Sequence, residues 1–174
     1  SSRSMARSSI VHRTVRLAYL VTHPIQYQAP LLQRIAAEPD IELKVFFRSD
    51  KSLAGFVDPG FGRRIEWDVP LLDGYDHEFL PALGDARTVS RLWRPWSYGL
   101  AQRLKAGRFD ALWVHGYAKP FHWAAMANAK RLGLKVLLRD EATSISARRR
   151  PWKKAAKQAF FLGLRQLCDG YLAI

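Results

Sequence analysis

The sequence has a single cysteine and lacks any long apolar run. Cys168 has no partner for a disulfide within the chain, so nothing requires an oxidising compartment, and a cytoplasmic location is expected. The longest early apolar stretch, residues 17–21, is shorter than the core of a signal peptide. It is also far below the roughly 20 residues of a membrane-spanning helix, so no segment is predicted to cross a bilayer.

The motifs that hold phosphates, metals and nucleophiles are also missing. The sequence contains no G-x-G-x-x-G after its first apolar run and no G-x-x-x-x-G-K-[ST] at any position. No spacing of histidine, cysteine and acidic residues matches a metal site, and no G-x-S-x-G marks a nucleophile. We therefore expect no dinucleotide cofactor, no P-loop and no metal ion.

Acidic residues are scarce in the second half of the chain. The net charge is +13, and all of this excess lies in residues 88–174, because the first half carries equal numbers of acidic and basic residues. The stretch 142–168 contains no acid, and its basic residues are Arg148, Arg149, Arg150, Lys153, Lys154, Lys157 and Arg165. Such a stretch indicates either an anionic partner or a solvated basic face.

Apolar runs of strand length alternate with stretches of helical spacing. This alternation predicts an α/β fold, a Rossmann-like doubly wound parallel sheet over residues 15–174. Residues 1–14, with four residues before Met5, are expected to be a vector-derived start and a loose tail. Strands are predicted at 16–22, 41–47, 109–116, 134–142 and 170–174, and helices at 29–38, 88–107, 119–133 and 151–168. Residues 48–83 are predicted as an irregular excursion with extended pieces at 63–71 and 77–81.

Polar residues follow three of the predicted strands. They are His23, Gln26 and Tyr27 after the first, His115, Gly116 and Tyr117 after the third, and Arg139, Asp140 and Glu141 after the fourth. Because ligands of an open parallel sheet bind beyond the carboxyl ends of its strands, these residues are expected to converge on one edge. The alternatives are a hydrogen bond from His23 to a loop carbonyl and an Arg139–Glu141 ion pair. His77, in the excursion, and His122, in a helix, are expected to be structural.

Four segments in this order resemble the N-terminal domain of GT-B glycosyltransferases. They read AYLVTHPIQYQAPLLQRIA, IELKVFF, FDALWVHGY and LKVLLRDEAT, and the likeness is greatest to the retaining group called glycosyltransferase group 1 or family 4. The resemblance implies one half of a two-domain enzyme that moves a sugar from a nucleotide-sugar donor to a hydroxyl acceptor. It implies an acceptor-side domain here, with no cofactor beyond the nucleotide-sugar co-substrate.

The resemblance also implies roles for individual residues. His23, Gln26 and Tyr27 would line the acceptor side, His115 would approach the transferred sugar, and Gly116, Tyr117, Arg139 and Glu141 would border the cleft. The chain departs from the family in having His-Pro where many members have Gly-Gly, and in lacking the C-terminal domain that binds most of the donor. Residues 1–174 alone are therefore expected to be inactive.

Two other functions remain open from the sequence alone. The basic half is compatible with a nucleic-acid-binding interaction domain, although helical spacing favours core packing for Phe160 and Phe161, so nucleic acid is the less favoured partner. The architecture is also compatible with half of a sugar-nucleotide epimerase. Within the glycosyltransferase hypothesis, Arg148, Arg149, Arg150, Lys153 and Lys154 are expected to face an anionic membrane that carries a lipid-linked acceptor. The location would then be peripheral, on the inner face of the membrane.

Overall fold

A computed structural model describes residues 13–50, 53, 56–57, 64–65, 70–83, 96–139 and 161–172 of this chain. The strands in these ranges are β1 (Val15–Val21), β2 (Ile41–Phe47), β3 (Phe56–Val57), β4 (Arg64–Ile65), β5 (Asp76–Phe79), β6 (Ala82–Leu83), β7 (Trp96–Ser97), β8 (Ala111–His115), β9 (Lys135–Arg139) and β10 (Gly170–Leu172). The helices are α1 (Ala29–Ala36), α2 (Leu100–Ala106) and α3 (Pro120–Arg131), and residues 161–167 are also helical.

Six of the strands form one parallel sheet in the order β10-β9-β8-β1-β2-β5. β1 lies at the centre, where Leu17 is paired with Leu43 of β2 on one side and with Ala111 of β8 on the other. In chain order the sheet runs third, second, first, fourth, fifth, sixth, which is the strand order of Rossmann folds. The predicted Rossmann-like doubly wound α/β fold is confirmed.

Both faces of the sheet are covered, because the side chains of its central strands alternate between two apolar clusters. Ala18 and Leu20 of β1 pack with α2, α3 and the helical residues near Leu164. Tyr19 and Val21 of the same strand pack on the opposite face with α1. Strands buried on both faces explain why the sequence of β1 is an almost continuous apolar run.

The edge strand β5 lies within the stretch that was predicted to be irregular. Its sequence, Asp-His-Glu-Phe, is short and polar, yet it pairs parallel to β2 over four residues. Lys44 of β2 forms ion pairs with Asp76 at 3.3 Å and with Glu78 at 3.5 Å across this pairing. The extended piece predicted around residue 77 is therefore part of the main sheet.

The helix predicted over 88–107 is wrong for residues 96–99. Trp96 and Ser97 pair with Leu83 and Ala82 in an antiparallel ladder, and Gly99 has a left-handed φ of 80°. The helix begins only at Leu100, since the strand pairing takes the residues before it. Residues 84–95 lie outside the described ranges, as do Asp140, Glu141, Arg148, Arg149, Arg150, Lys153 and Lys154 of the predicted sites.

Candidate functional site at the strand-order reversal

The chain reverses its direction across the sheet between β1 and β8. From β1 the strands extend through β2 to β5, whereas β8, β9 and β10 extend the other way. The two loops that leave neighbouring strands at such a point diverge, and the crevice between them is where open α/β sheets bind ligands. Leu20 is paired with Val114, so the β1 loop with His23 and the strand end with His115 lie side by side. Both histidines are half-buried.

Gln28 connects the two sides of this crevice, and sequence reasoning missed it. Its side chain is only 1% exposed, at the residue before α1. The buried hydroxyl of Tyr19 donates a hydrogen bond to its Oε1 at 3.0 Å. This orients the amide so that Nε2 faces His115, at 3.2 Å from ring Nε2 and 3.3 Å from Nδ1. In the sequence, a polar residue directly before an apolar helix was the feature that could have indicated Gln28.

The Gln28 contact constrains the hydrogen-bonding roles of the His115 ring. The amide nitrogen lies almost equally far from both ring nitrogens, so the contact does not select one tautomer. The amide NH₂ group is a donor, so a ring nitrogen that receives its hydrogen must present a lone pair. In either neutral tautomer the other ring nitrogen is a hydrogen-bond donor.

Gly116 makes the sharp exit from β8 possible. Its φ of 83° lies in the left-handed region, which favours glycine, and its N–H donates to the carbonyl of Arg139 at 2.9 Å. A Cβ at this position would lie 3.9 Å from Cε1 of His122, so the loop folds back toward the start of α3. The turn keeps His115 and the first turn of α3 at the same edge of the sheet.

The other predicted site residues are distributed around this edge. Tyr27 is 55% exposed beside the half-buried Gln26, so both lie at the rim of the β1 loop. The ring of Tyr117 packs on Phe161 at 5.8 Å, and its carbonyl accepts from the indole N–H of Trp123 at 3.0 Å. Arg139 is buried at the end of β9, with its guanidinium carbon 5.9 Å from the centre of the Trp113 ring.

Arg48 is a second site residue that sequence reasoning missed. It follows β2, and its backbone N–H donates to the carbonyls of Val21 at 3.3 Å and Thr22 at 3.1 Å, which ties it to the end of β1. The side chain is 3% exposed and donates from Nε to the Ser97 hydroxyl at 3.3 Å. Burial lowers its pKa to about 10. In the sequence, a charged residue directly after the apolar end of a strand was the feature that could have indicated Arg48.

The guanidinium of Arg48 reaches the first turn of α3. Its carbon lies 4.3 Å from the centre of the Phe121 ring, which is a cation–π contact. Burial and the charge of Arg48 both lower the pKa of Lys119, the residue before the helix. Burial, followed by the charges of Arg48, Lys119 and His115, lowers the pKa of His122 to about 3. Basic groups from the ends of β2 and β8 and from the start of α3 thus meet at this corner of the crevice.

The described residues contain neither a candidate metal site nor a candidate membrane-spanning helix. Within those ranges, no group of three or more histidine, cysteine or acidic side chains is placed to hold a metal ion. Among the helices described, none has the length and apolar character needed to traverse a membrane.

No family model matches the chain, and no curated protein matches it. Among solved structures, the chain is similar to a UDP-glucosyltransferase from Polygonum tinctorium capable of glucosylating indoxyl, in a complex with 3,4-dichloroaniline. The identity is 16% and the TM-score 0.45, over 88% of this chain and 32% of the glucosyltransferase chain. The chain thus spans about a third of the length of that neighbour. The strand order of the sheet defines the fold.

Proposed function

We propose that this chain is the acceptor-side domain of a GT-B glycosyltransferase of the retaining family 4 type. The observation that carries the proposal is the loop after β1, where histidine, glutamine and tyrosine side chains occupy the place at which dinucleotide-binding folds have glycines. Bulky polar side chains there keep a diphosphate away from the start of α1. They suit a ligand rich in hydroxyl groups, as a sugar acceptor is.

In this proposal His115 is the catalytic residue of the domain. A ring N–H of His115 donates to an oxygen of the transferred sugar, and the Gln28 amide orients the ring without taking part in the chemistry. His23, Gln26 and Tyr27 bind the acceptor from the β1 loop. Gly116, Tyr117, Arg139 and Glu141 border the cleft.

The donor belongs to a second domain in this proposal. A nucleotide sugar held across the crevice by that domain would place its sugar over His115, and the acceptor hydroxyl would approach from the β1 loop. Because residues 1–174 supply only the acceptor side, we expect them to show neither transfer nor sugar-nucleotide hydrolysis without the donor domain. Robust turnover by the 174-residue chain would contradict this arrangement.

The test is a His115→Ala substitution in the full-length enzyme. Release of the nucleoside diphosphate is followed with a panel of nucleotide sugars and hydroxyl acceptors, and kcat should fall on the order of 10²-fold, the scale of one positioned polar group. His77→Ala is the matched control, because His77 lies on β5, two strands away from β1. Equal kcat values for the two variants, or unfolding of the His115 variant, would refute the role of His115.

We further propose that the basic segment brings the domain to a membrane. Arg148, Arg149, Arg150, Lys153 and Lys154 follow one another closely in sequence, and each such residue near an anionic surface contributes roughly 1 kcal/mol. A peripheral location on the inner face of the membrane would present a lipid-linked acceptor to the crevice. Sedimentation with vesicles should rise with anionic lipid content and fall with salt. Equal sedimentation after changing all five residues to Gln would overturn the proposal.

A further inference from the structure

The start of α3 combines several features that favour a negative charge. The helix is 12 residues long, no acidic residue lies in its first turn, and within the described ranges no side chain caps it. On the described helix itself, no acidic or capping side chain offsets the positive end of its dipole. Lys119 precedes the helix and the buried Arg48 lies against Phe121, so two cations accompany the dipole.

His122 provides an independent sign that a ligand belongs there. Its side chain is only 4% exposed, and across the described part of the chain neither ring nitrogen has a hydrogen-bond partner. A neutral imidazole offers one donor and one acceptor, and leaving both unpaired in a buried place is costly. Buried polar atoms without a partner are rare enough to need an explanation, and a missing ligand is one.

The His122 ring faces the corner where the basic groups meet. Arg48, Lys119 and His115 all lie close enough for their charges to disfavour protonation of the ring. Cε1 of the ring would lie 3.9 Å from a Cβ on Gly116, which places it against the loop that leaves β8. An anion at this corner would turn the repulsion among these groups into attraction.

We propose that this corner binds a phosphate group of a substrate, held by Arg48, Lys119, the ring N–H of His122 and the start of α3. Two cations and a helix dipole suit a doubly charged tetrahedral oxyanion. The inference rests on the proposed function only in the identity of the ligand that carries the phosphate. That ligand is either a phosphorylated acceptor or the donor, through its diphosphate. The site itself requires no transfer reaction.

The experiment titrates inorganic phosphate into the 174-residue chain and follows the imidazole resonances of His122 by NMR. Those resonances should shift saturably with phosphate and should not shift with chloride at matched ionic strength. Lys119→Gln should weaken the phosphate affinity about 10-fold or more. Lys105→Gln, an exposed charge-matched control at the end of α2, should leave it unchanged.

Three outcomes would overturn the site. They are an unshifted His122 ring, equal responses to phosphate and chloride, and equal losses of affinity in the two lysine variants. His122→Phe, which keeps a ring but removes the nitrogens, serves as a second variant and should weaken the affinity as Lys119→Gln does.

Two further titrations identify the source of the phosphate. A soluble sugar monophosphate that binds more tightly than inorganic phosphate indicates the acceptor, and UDP that does so indicates the donor. Phosphate binding with no transfer by the full-length enzyme would refute the proposed function and leave the site standing. Transfer by the full-length enzyme without phosphate binding would refute the phosphate site and leave the proposed function standing.

Discussion

Acidification from neutral pH should destabilise this fold through His122. The side chain is 4% exposed and burial is the main cause that lowers its pKa to about 3. In the unfolded chain the same imidazole has an ordinary pKa near 6.5. The unfolded state therefore binds one more proton than the folded state over the interval between these two values.

The sign and size of the effect follow from this difference. Stability rises with pH wherever the unfolded state holds more protons, so the contribution of neutral His122 is complete above pH 6.5 and decreases as the pH falls toward 3. Between pH 7.5 and pH 5.0 the loss amounts to about 2 kcal/mol, because at pH 5.0 the imidazole of the unfolded chain is almost fully protonated. The folded state remains neutral at that site.

Urea unfolding of the 174-residue chain at pH 7.5 and at pH 5.0, in phosphate-free buffer, measures this loss. The comparison is with His122→Leu, which has a similar volume and no titratable group. The wild-type chain should lose about 2 kcal/mol more than the variant between the two pH values. Parallel pH profiles for the two proteins would show that His122 is not held neutral by its surroundings, and the reasoning would fail.

The Gln28 and Gly116 contacts carry two further predictions. Gln28→Met removes the amide oxygen that accepts from the buried Tyr19 hydroxyl and should cost about 1–3 kcal/mol in urea unfolding, part of which Tyr19→Phe should restore. The exposed Gln102→Met should change stability by less than about 0.5 kcal/mol, and a similar small loss for Gln28→Met would contradict the hydrogen-bond network. Gly116→Ala should cost about 1–2 kcal/mol because its φ is 83°. Gly163→Ala, in a helical stretch with only ordinary contacts to Trp123, should instead stabilise the protein by about 0.5–1 kcal/mol, and equal effects of the two changes would refute the backbone argument.

The central strands could be predicted from sequence because burial on both faces leaves an unmistakable apolar run. Residues 18–21 of β1 and 111–114 of β8 are fully or almost fully buried, and the chain can satisfy that requirement in few ways. Parallel pairing then brings His23 and His115 to one edge without further information. Position in the sheet, not side-chain chemistry, made this part of the site predictable.

The features that were missed depend on contacts between segments that are distant in sequence. An extended piece was predicted at β5, but its place in the main sheet was missed, because this short polar segment joins the sheet through the edge of β2 and the ion pairs of Lys44. Residues 96–99 have helical spacing, but pairing with residues 82–83 overrides it. Gln28 and Arg48 matter through partners that lie many residues away, Gln28 through His115 and Arg48 through Phe121. A local pattern can draw attention to such residues, but it does not identify their distant partners.

The central position of β1 has a consequence for the order in which the molecule folds. The contact between Arg16 and Glu42, on β1 and β2, spans 26 residues, whereas the contact between Arg16 and Asp110, at the start of β8, spans 94. Closing the longer loop costs about 1 kcal/mol more in chain entropy, and such long-range pairings form slowly. The β1–α1–β2 unit can therefore form first and present an open edge until β8 arrives. Gln28 and Arg48 belong to the early unit, and His115 and His122 to the part added with β8, so the crevice exists only once β8 has paired with β1.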